Sequence, residues 1–193
     1  MNIKFFFLLV TVILIALAGC KESDIQESSL KENPPAGSSK ELITIPPDSS
    51  GSESNIYSVT KSVDGSSGDN KVLYYIYHTQ PGRVINIHAE LKIPKDAFPD
   101  TVNITMTTDD HFALIYFAPH MNFNQPLNLN LSFTGLDLNS LIINPKDFDF
   151  GFVDDNGNFE HVDCSTLNIN ANAGLISVTG AKLNHFSRYG FIR

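Results

Sequence analysis

The segment Leu127-Asn128-Leu129-Asn130-Leu131-Ser132-Phe133 alternates apolar and polar residues without a break. Side chains two positions apart share a face only in an extended chain, so this period commits the segment to a half-buried β-strand, leucines inward and asparagines outward. Similar short runs recur at 57–63, 71–79, 84–93, 102–106, 112–117, 148–153, 159–164, 175–178 and 189–192, rich in the β-branched and aromatic residues that strands favour. Turn residues separate them. Between two of the runs, Asn156-Gly157 predicts a two-residue hairpin of type I′, a turn that requires positive φ at both central residues. No stretch sustains a 3.6-residue apolar period, and 136–141 has room for one helical turn at most. Short strands at regular spacing predict an all-β fold, an antiparallel β-sandwich over residues 56–193. A chain of that size buries roughly two thirds of its unfolded surface, enough for one core without staples.

The first residues have a different character. Met1-Asn2-Ile3-Lys4 carries one positive charge, an uncharged apolar run follows from Phe5 to Leu17, and Leu17-Ala18-Gly19-Cys20 closes it. A basic start, an apolar stretch and small residues before a processing point describe a secretory leader over 1–19. The run is shorter than the ~20 residues that a bilayer-spanning helix needs. Its ending resembles the lipobox of bacterial lipoproteins, which implies diacylglyceryl transfer to the thiol of Cys20 and cleavage just before it. Two or three acyl chains at about 0.8 kcal/mol per buried methylene hold a protein stably at a membrane. Lys21 follows the cysteine, where resemblance to diderm lipoproteins makes Asp an inner-membrane retention mark. The expected location is therefore the cell envelope, at the outer membrane in a diderm organism.

Residues 20–55 are rich in Ser, Glu, Lys and Pro and cannot bury enough apolar surface to offset ordering entropy. They predict a flexible tether spanning about 30 Å root-mean-square, with Leu42-Ile43-Thr44-Ile45 as its one apolar island and a candidate accessory strand. Without the leader, 12 Lys and Arg face 21 Asp and Glu, a formal charge of −9. That balance speaks against nucleic acid as a partner, because phosphate binding rests on clustered cations. With Cys20 modified, only Cys164 remains, so no intrachain disulfide is available. Cys164 itself reads as a small strand residue and not as a nucleophile.

Three segments in order carry a family resemblance. Leu91-Lys92-Ile93-Pro94-Lys95-Asp96-Ala97-Phe98 leads into Val102-Asn103-Ile104-Thr105-Met106. Phe117-Ala118-Pro119-His120-Met121-Asn122-Phe123-Asn124-Gln125-Pro126-Leu127 leads into the alternating leucines, and the chain closes on His185-Phe186-Ser187-Arg188-Tyr189-Gly190-Phe191. This order resembles the ZU-five domain of zonula-occludens proteins, netrin receptors and ankyrins, and more closely its bacterial versions in secreted and lipid-anchored proteins. Gly68-Asp69 stands where a Gly-Gly pair often opens that domain, a departure confined to a turn. The resemblance implies a protein-interaction or structural module. At 185–187 it also implies self-cleavage, with Ser187 attacking the Phe186 carbonyl and His185 as general base. The residues alone give a plainer expectation: Phe186 packs in the core while His185 and Ser187 bond locally to backbone. Cleavage would free one strand with no attached domain, so the plainer expectation is preferred.

Other chemistry is thinly supported. The six histidines, His78, His88, His111, His120, His161 and His185, lack paired metal-ligand spacing. Asp109-Asp110 and Asp154-Asp155-Asn156-Gly157-Asn158 offer oxygen ligands, but the second run lacks a closing Glu and is accounted for as a hairpin. No metal and no cofactor are expected. A glycan-binding adhesin is a further alternative in a chain without Trp, with Tyr57, Tyr74, Tyr75 and Tyr77 as stacking candidates. Tyr75 and Tyr77 share one strand face and Tyr74 and Ile76 the other, and core packing on one face with ordinary strand propensity on the other is the preferred reading. The expected partners are the membrane, through the anchor, and a protein.

Overall fold

The computed structural model describes residues 40–49, 56–80, 82–141 and 146–193; the leader, Cys20 and most of the predicted tether lie outside the described residues. Eleven strands form the fold: β1 (Ser58–Asp64), β2 (Asp69–His78), β3 (Val84–Ile93), β4 (Thr101–Thr108), β5 (Leu114–Ala118), β6 (Asn122–Thr134), β7 (Asp149–Val153), β8 (Phe159–His161), β9 (Thr166–Asn170), β10 (Leu175–His185) and β11 (Arg188–Ile192). They build two antiparallel sheets, ordered β1-β4-β5-β11-β7-β8 and β2-β3-β6-β10-β9, packed as a sandwich. No helix occurs among the described residues.

The alternation in β6 sets the register of the five-stranded sheet. Leu127, Leu129, Leu131 and Phe133 are all buried, and Leu91, Ala89 and Ile87 of β3 pair directly with Leu129, Leu131 and Phe133. A slip of one residue would turn every leucine to solvent, so the burial itself fixes the pairing. Ile104, Met106, Ile115, Phe117, Tyr189 and Phe191 close the core from the other sheet. Pro126 sits inside β6 at no cost to the ladder. The pairing of Lys92 with Asn128 places Pro126 opposite Pro94, just past the end of β3, where no donor is required.

Lys71 is a polar residue on the inward face of β2. It is 2 % exposed, and its ammonium crosses between the sheets to donate to the Ile104 carbonyl at 2.8 Å. Burial lowers its pKa, with Lys61 adding to the shift and Asp69 opposing it.

Three expectations are corrected. The stretch read as tether up to residue 55 is stitched into the sandwich at 41–49. Ile43 and Ile45 are buried, the Ile43 amide donates to Phe191 O at 3.0 Å, and Ala113 N donates to Ile43 O at 2.7 Å. Further along, Tyr77 donates its hydroxyl to Pro46 O and Ser49 N donates to His78 O. This strap runs from the end of β11 to the end of β2 because two isoleucines spaced by two repay its ordering by burial. Second, the turn at Asn156-Gly157 is not type I′, since only Gly157 takes a positive φ, +82°. Asp154 organises it instead, accepting from the amides of Asn156 and Asn158, with Gly157 N closing on Asp154 O. Third, 136–141 holds a turn and no helix. Gly68 does occupy a turn, at φ +75°.

The strap gives a direct test. Ile43→Ala removes a fully buried side chain, so equilibrium urea unfolding should show a loss of about 2–4 kcal/mol. An unchanged midpoint would mean that the strap contributes nothing to the folded unit.

Candidate functional site: a cleft beside the His185 corner

β10 ends in the five-stranded sheet at His185, and β11 begins in the six-stranded sheet at Arg188. Phe186 and Ser187 therefore carry the chain from one sheet to the other. Phe186 is 0 % exposed, stacks on Phe117 with ring centroids 5.4 Å apart, and meets Phe123 edge-on at 4.7 Å. Its amide donates to Met121 O, and Ser187 O accepts from Phe117 N, both at 2.8 Å. Tyr189 locks the crossing by donating its hydroxyl to the His185 carbonyl at 2.7 Å, a tyrosine corner. Burial pushes the Tyr189 phenol well above its ordinary pKa, so it remains a donor.

The triplet is thus divided among three environments. The His185 ring lies edge-on to Phe152 at 5.0 Å, with Nδ1 3.5 Å from the Tyr189 hydroxyl. Phe186 is in the core. Among the described residues no hydrogen bond joins the Ser187 hydroxyl to the His185 ring, and Asp96 is the one non-glycine residue with positive φ. The expected local bond from the Ser187 hydroxyl to backbone is not made either.

Next to the corner a cleft of about 620 Å³ opens between the start of β6, the β7–β8 hairpin and the end of β10. Phe152 and Tyr189 reach it from the inward face of the six-stranded sheet. Glu160 joins them because it pairs directly opposite Phe152. Lys182 and Asn184 come from β10, Gln125 and Asn128 from β6. The opening has a local cause. β9 pairs with β10 only as far as Thr166 opposite Thr179, and the β6–β10 register then shifts between Val178 and Ala181, where Gly180 takes φ +65°. A bulge of this kind bends the strand, and past it β10 meets the β8–β9 connection, where Lys182 N donates to Asp163 O at 2.9 Å.

Several lining groups are already engaged. Lys182 Nζ donates to Asn128 Oδ1 at 2.5 Å, and His161 is held by Asp149 at 2.7 Å with Asp163 4.0 Å from its other nitrogen. Glu160 and Asn184, both exposed, make no side-chain hydrogen bond among the described residues, and both line this volume of ligand size. His185 and His161 were singled out in the sequence. Phe152, Glu160, Lys182 and Asn184 were not, because nothing local in the chain announces that a bulge and a hairpin bring them together.

The remaining candidates have structural employment. Asp109, Asp110 and His111 place one ligand atom each within 4.8 Å of one another. Asp109 spends both oxygens on the turn, however, accepting from the amides of His111 and Phe112 and from the Tyr116 hydroxyl. Tyr77 is buried, and Tyr75 stacks between it and Tyr57, the core packing expected of that strand face. Cys164 is half-buried in the β8–β9 connection, outside any strand, and burial together with Asp149 and Asp163 pushes its thiol up, away from the reactive thiolate.

Compared with models of protein families, with curated proteins and with solved structures, the chain matches none.

The corner predicts that Tyr189→Phe, which strands the His185 carbonyl without its donor, lowers stability by about 1–3 kcal/mol while the near-ultraviolet spectrum stays native. A variant as stable as the parent would show that the bond does not hold the crossing.

Proposed function

We propose that this chain is a lipid-anchored lipoprotein of the bacterial cell envelope whose sandwich is a non-enzymatic recognition module of the ZU-five type, with the cleft beside the His185 corner as its recognition surface. The observation that carries the reading is the cleft, which places an unpartnered carboxylate and amide, Glu160 and Asn184, beside the rings of Phe152 and His185. Its position supports the same reading. The strap joins the sandwich beside the last residues of β11 and β2, whereas the cleft lies at the first residues of β11 and past the end of β3. A module tethered through the strap presents the cleft at the far end of its strands. The lipobox-like ending at Cys20 supports the anchor, and the three ordered segments on an antiparallel sandwich support the ZU-five affiliation. The partner we favour is a protein. An oligosaccharide is the second reading, favoured by aromatic rings lying next to free polar groups.

Two arms test the proposal in cells. Labelled palmitate should enter the wild-type chain and not Cys20→Ser, which should also leave the membrane fraction. A photo-crosslinking residue at position 184 should trap one envelope protein, and the yield should fall at least tenfold when Glu160→Gln is added. No adduct at 184, together with binding of soluble envelope oligosaccharides, would shift the assignment to glycan recognition. A chain that takes no label and stays soluble would remove the lipoprotein reading.

A further inference from the structure

The six large apolar side chains that the described residues leave exposed all lie along one edge of the sandwich. Val72, Tyr74 and Ile76 stand 49 %, 56 % and 44 % exposed on the outer face of β2, Val84 lies beside them on β3, and Ile56 and Tyr57 lead into β1, which flanks the same edge. β2 is the terminal strand of the five-stranded sheet, and among the described strands it pairs with β3 alone. In an antiparallel strand the amide and carbonyl of one residue point to the same side, and the side alternates along the chain. His78 O accepts from Ser49 and Asn70 O accepts from Lys61, both away from β3, so the even-numbered residues of β2 face the open edge. The backbone groups of Val72, Tyr74 and Ile76 therefore point outward along the sheet, at the same three residues whose side chains are exposed. Ser49 and Lys61 close the two ends of this edge, and among the described residues nothing pairs with the window between them.

Folded proteins blunt open edges with lysine, proline, bulges or very short strands. The other sheet edges here follow that rule. β8 has three residues, β9 shows Thr166, Asn168 and Asn170 to solvent, and β1 shows Ser58, Thr60, Lys61 and Ser62. The β2 window carries no charge, no proline and no register shift.

We propose that the β2 edge is a homodimer interface, in which two copies pair β2 antiparallel about a two-fold axis at Leu73 and join their five-stranded sheets into one. A two-fold interface must be self-complementary, and this window is. Pairing about Leu73 sets Val72 opposite the partner's Tyr74 and Tyr74 opposite the partner's Val72, aromatic against β-branched, a favourable cross-strand combination. In the same register Ile76 meets the partner's Asn70. Val72 and Tyr74 then exchange amide and carbonyl bonds with the partner's Tyr74 and Val72, while Asn70, whose carbonyl accepts from Lys61 and whose amide donates to Asp69, marks the end of the paired stretch. A membrane anchor, where present, concentrates the copies in one plane and favours this pairing further.

The test uses the full chain extracted in a mild non-ionic detergent, with protein mass read by light scattering after subtraction of the micelle. The wild type should give twice the chain mass at micromolar concentration. Tyr74→Lys should halve it, without loss of thermal stability, because the side chain is exposed. Tyr74→Pro should do the same, since the amide it deletes points away from β3 and is not used within the fold. Asn168→Lys, on the opposite edge of the sheet, should leave the dimer intact. A monomeric wild type would overturn the proposal, and so would a dimer that survives Tyr74→Lys or a β2 edge found occupied by a strand of a different protein.

Discussion

Phe186 is where the two sheets become one structure. The chain leaves β10 at His185 and enters β11 at Arg188, three steps that reach roughly 10 Å when extended, close to the ~10 Å between packed sheets. So short a crossing has no slack to run over the surface, and its middle side chain must enter the interior. Phe186 does so between Phe117 and Phe123. The Tyr189 hydroxyl then ties the far side of the crossing to its near side through the His185 carbonyl. The apolar member of the triplet is consumed by the core, and the His185 ring lies against Phe152.

The cleft follows from the same corner. Past the shift near Gly180 the β8–β9 connection takes the place of β9 beside β10, with Lys182 N donating to Asp163 O, and the last residues of β10 lie next to the β7–β8 hairpin. Glu160 is brought in by its pairing with Phe152, and Phe152 by the same inward parity that buries Phe148 and Phe150. The polar groups gathered there stand next to the wall of aromatic rings that holds the crossing. The proposed recognition surface and the packing of the crossing thus share Tyr189 and Phe152.

Much of the fold was legible because burial on one face imposes a period of two. β3, β6 and the placement of Tyr75 and Tyr77 on the inward side of β2 follow directly from it. Where the period is carried by few residues, reading fails. β9 alternates Leu167 and Ile169 against polar neighbours, but two half-buried apolar side chains at a sheet edge make a weak pattern. The strap was visible only as the island Leu42–Ile45, since its order comes from partners in β11 and β2 that lie far off in sequence. Lys71 shares the parity of Leu73, Tyr75 and Tyr77, so its inward direction could have been inferred, whereas its bond to Ile104 O belongs to the tertiary structure. At the site, His185 and His161 drew notice by residue type. The cleft around them depends on a bulge and a hairpin register, which no local spacing encodes.

On the proposed reading, His185-Phe186-Ser187 is a packing corner and the chain stays uncut there. The most direct measurement is the mass of the protein under denaturing conditions after prolonged incubation, where a severed final strand could no longer hide in the sheet. One species of full mature mass, the same for the parent and for Ser187→Ala, is the predicted result. A parent lacking residues 187–193, restored to full length by Ser187→Ala, would contradict the account.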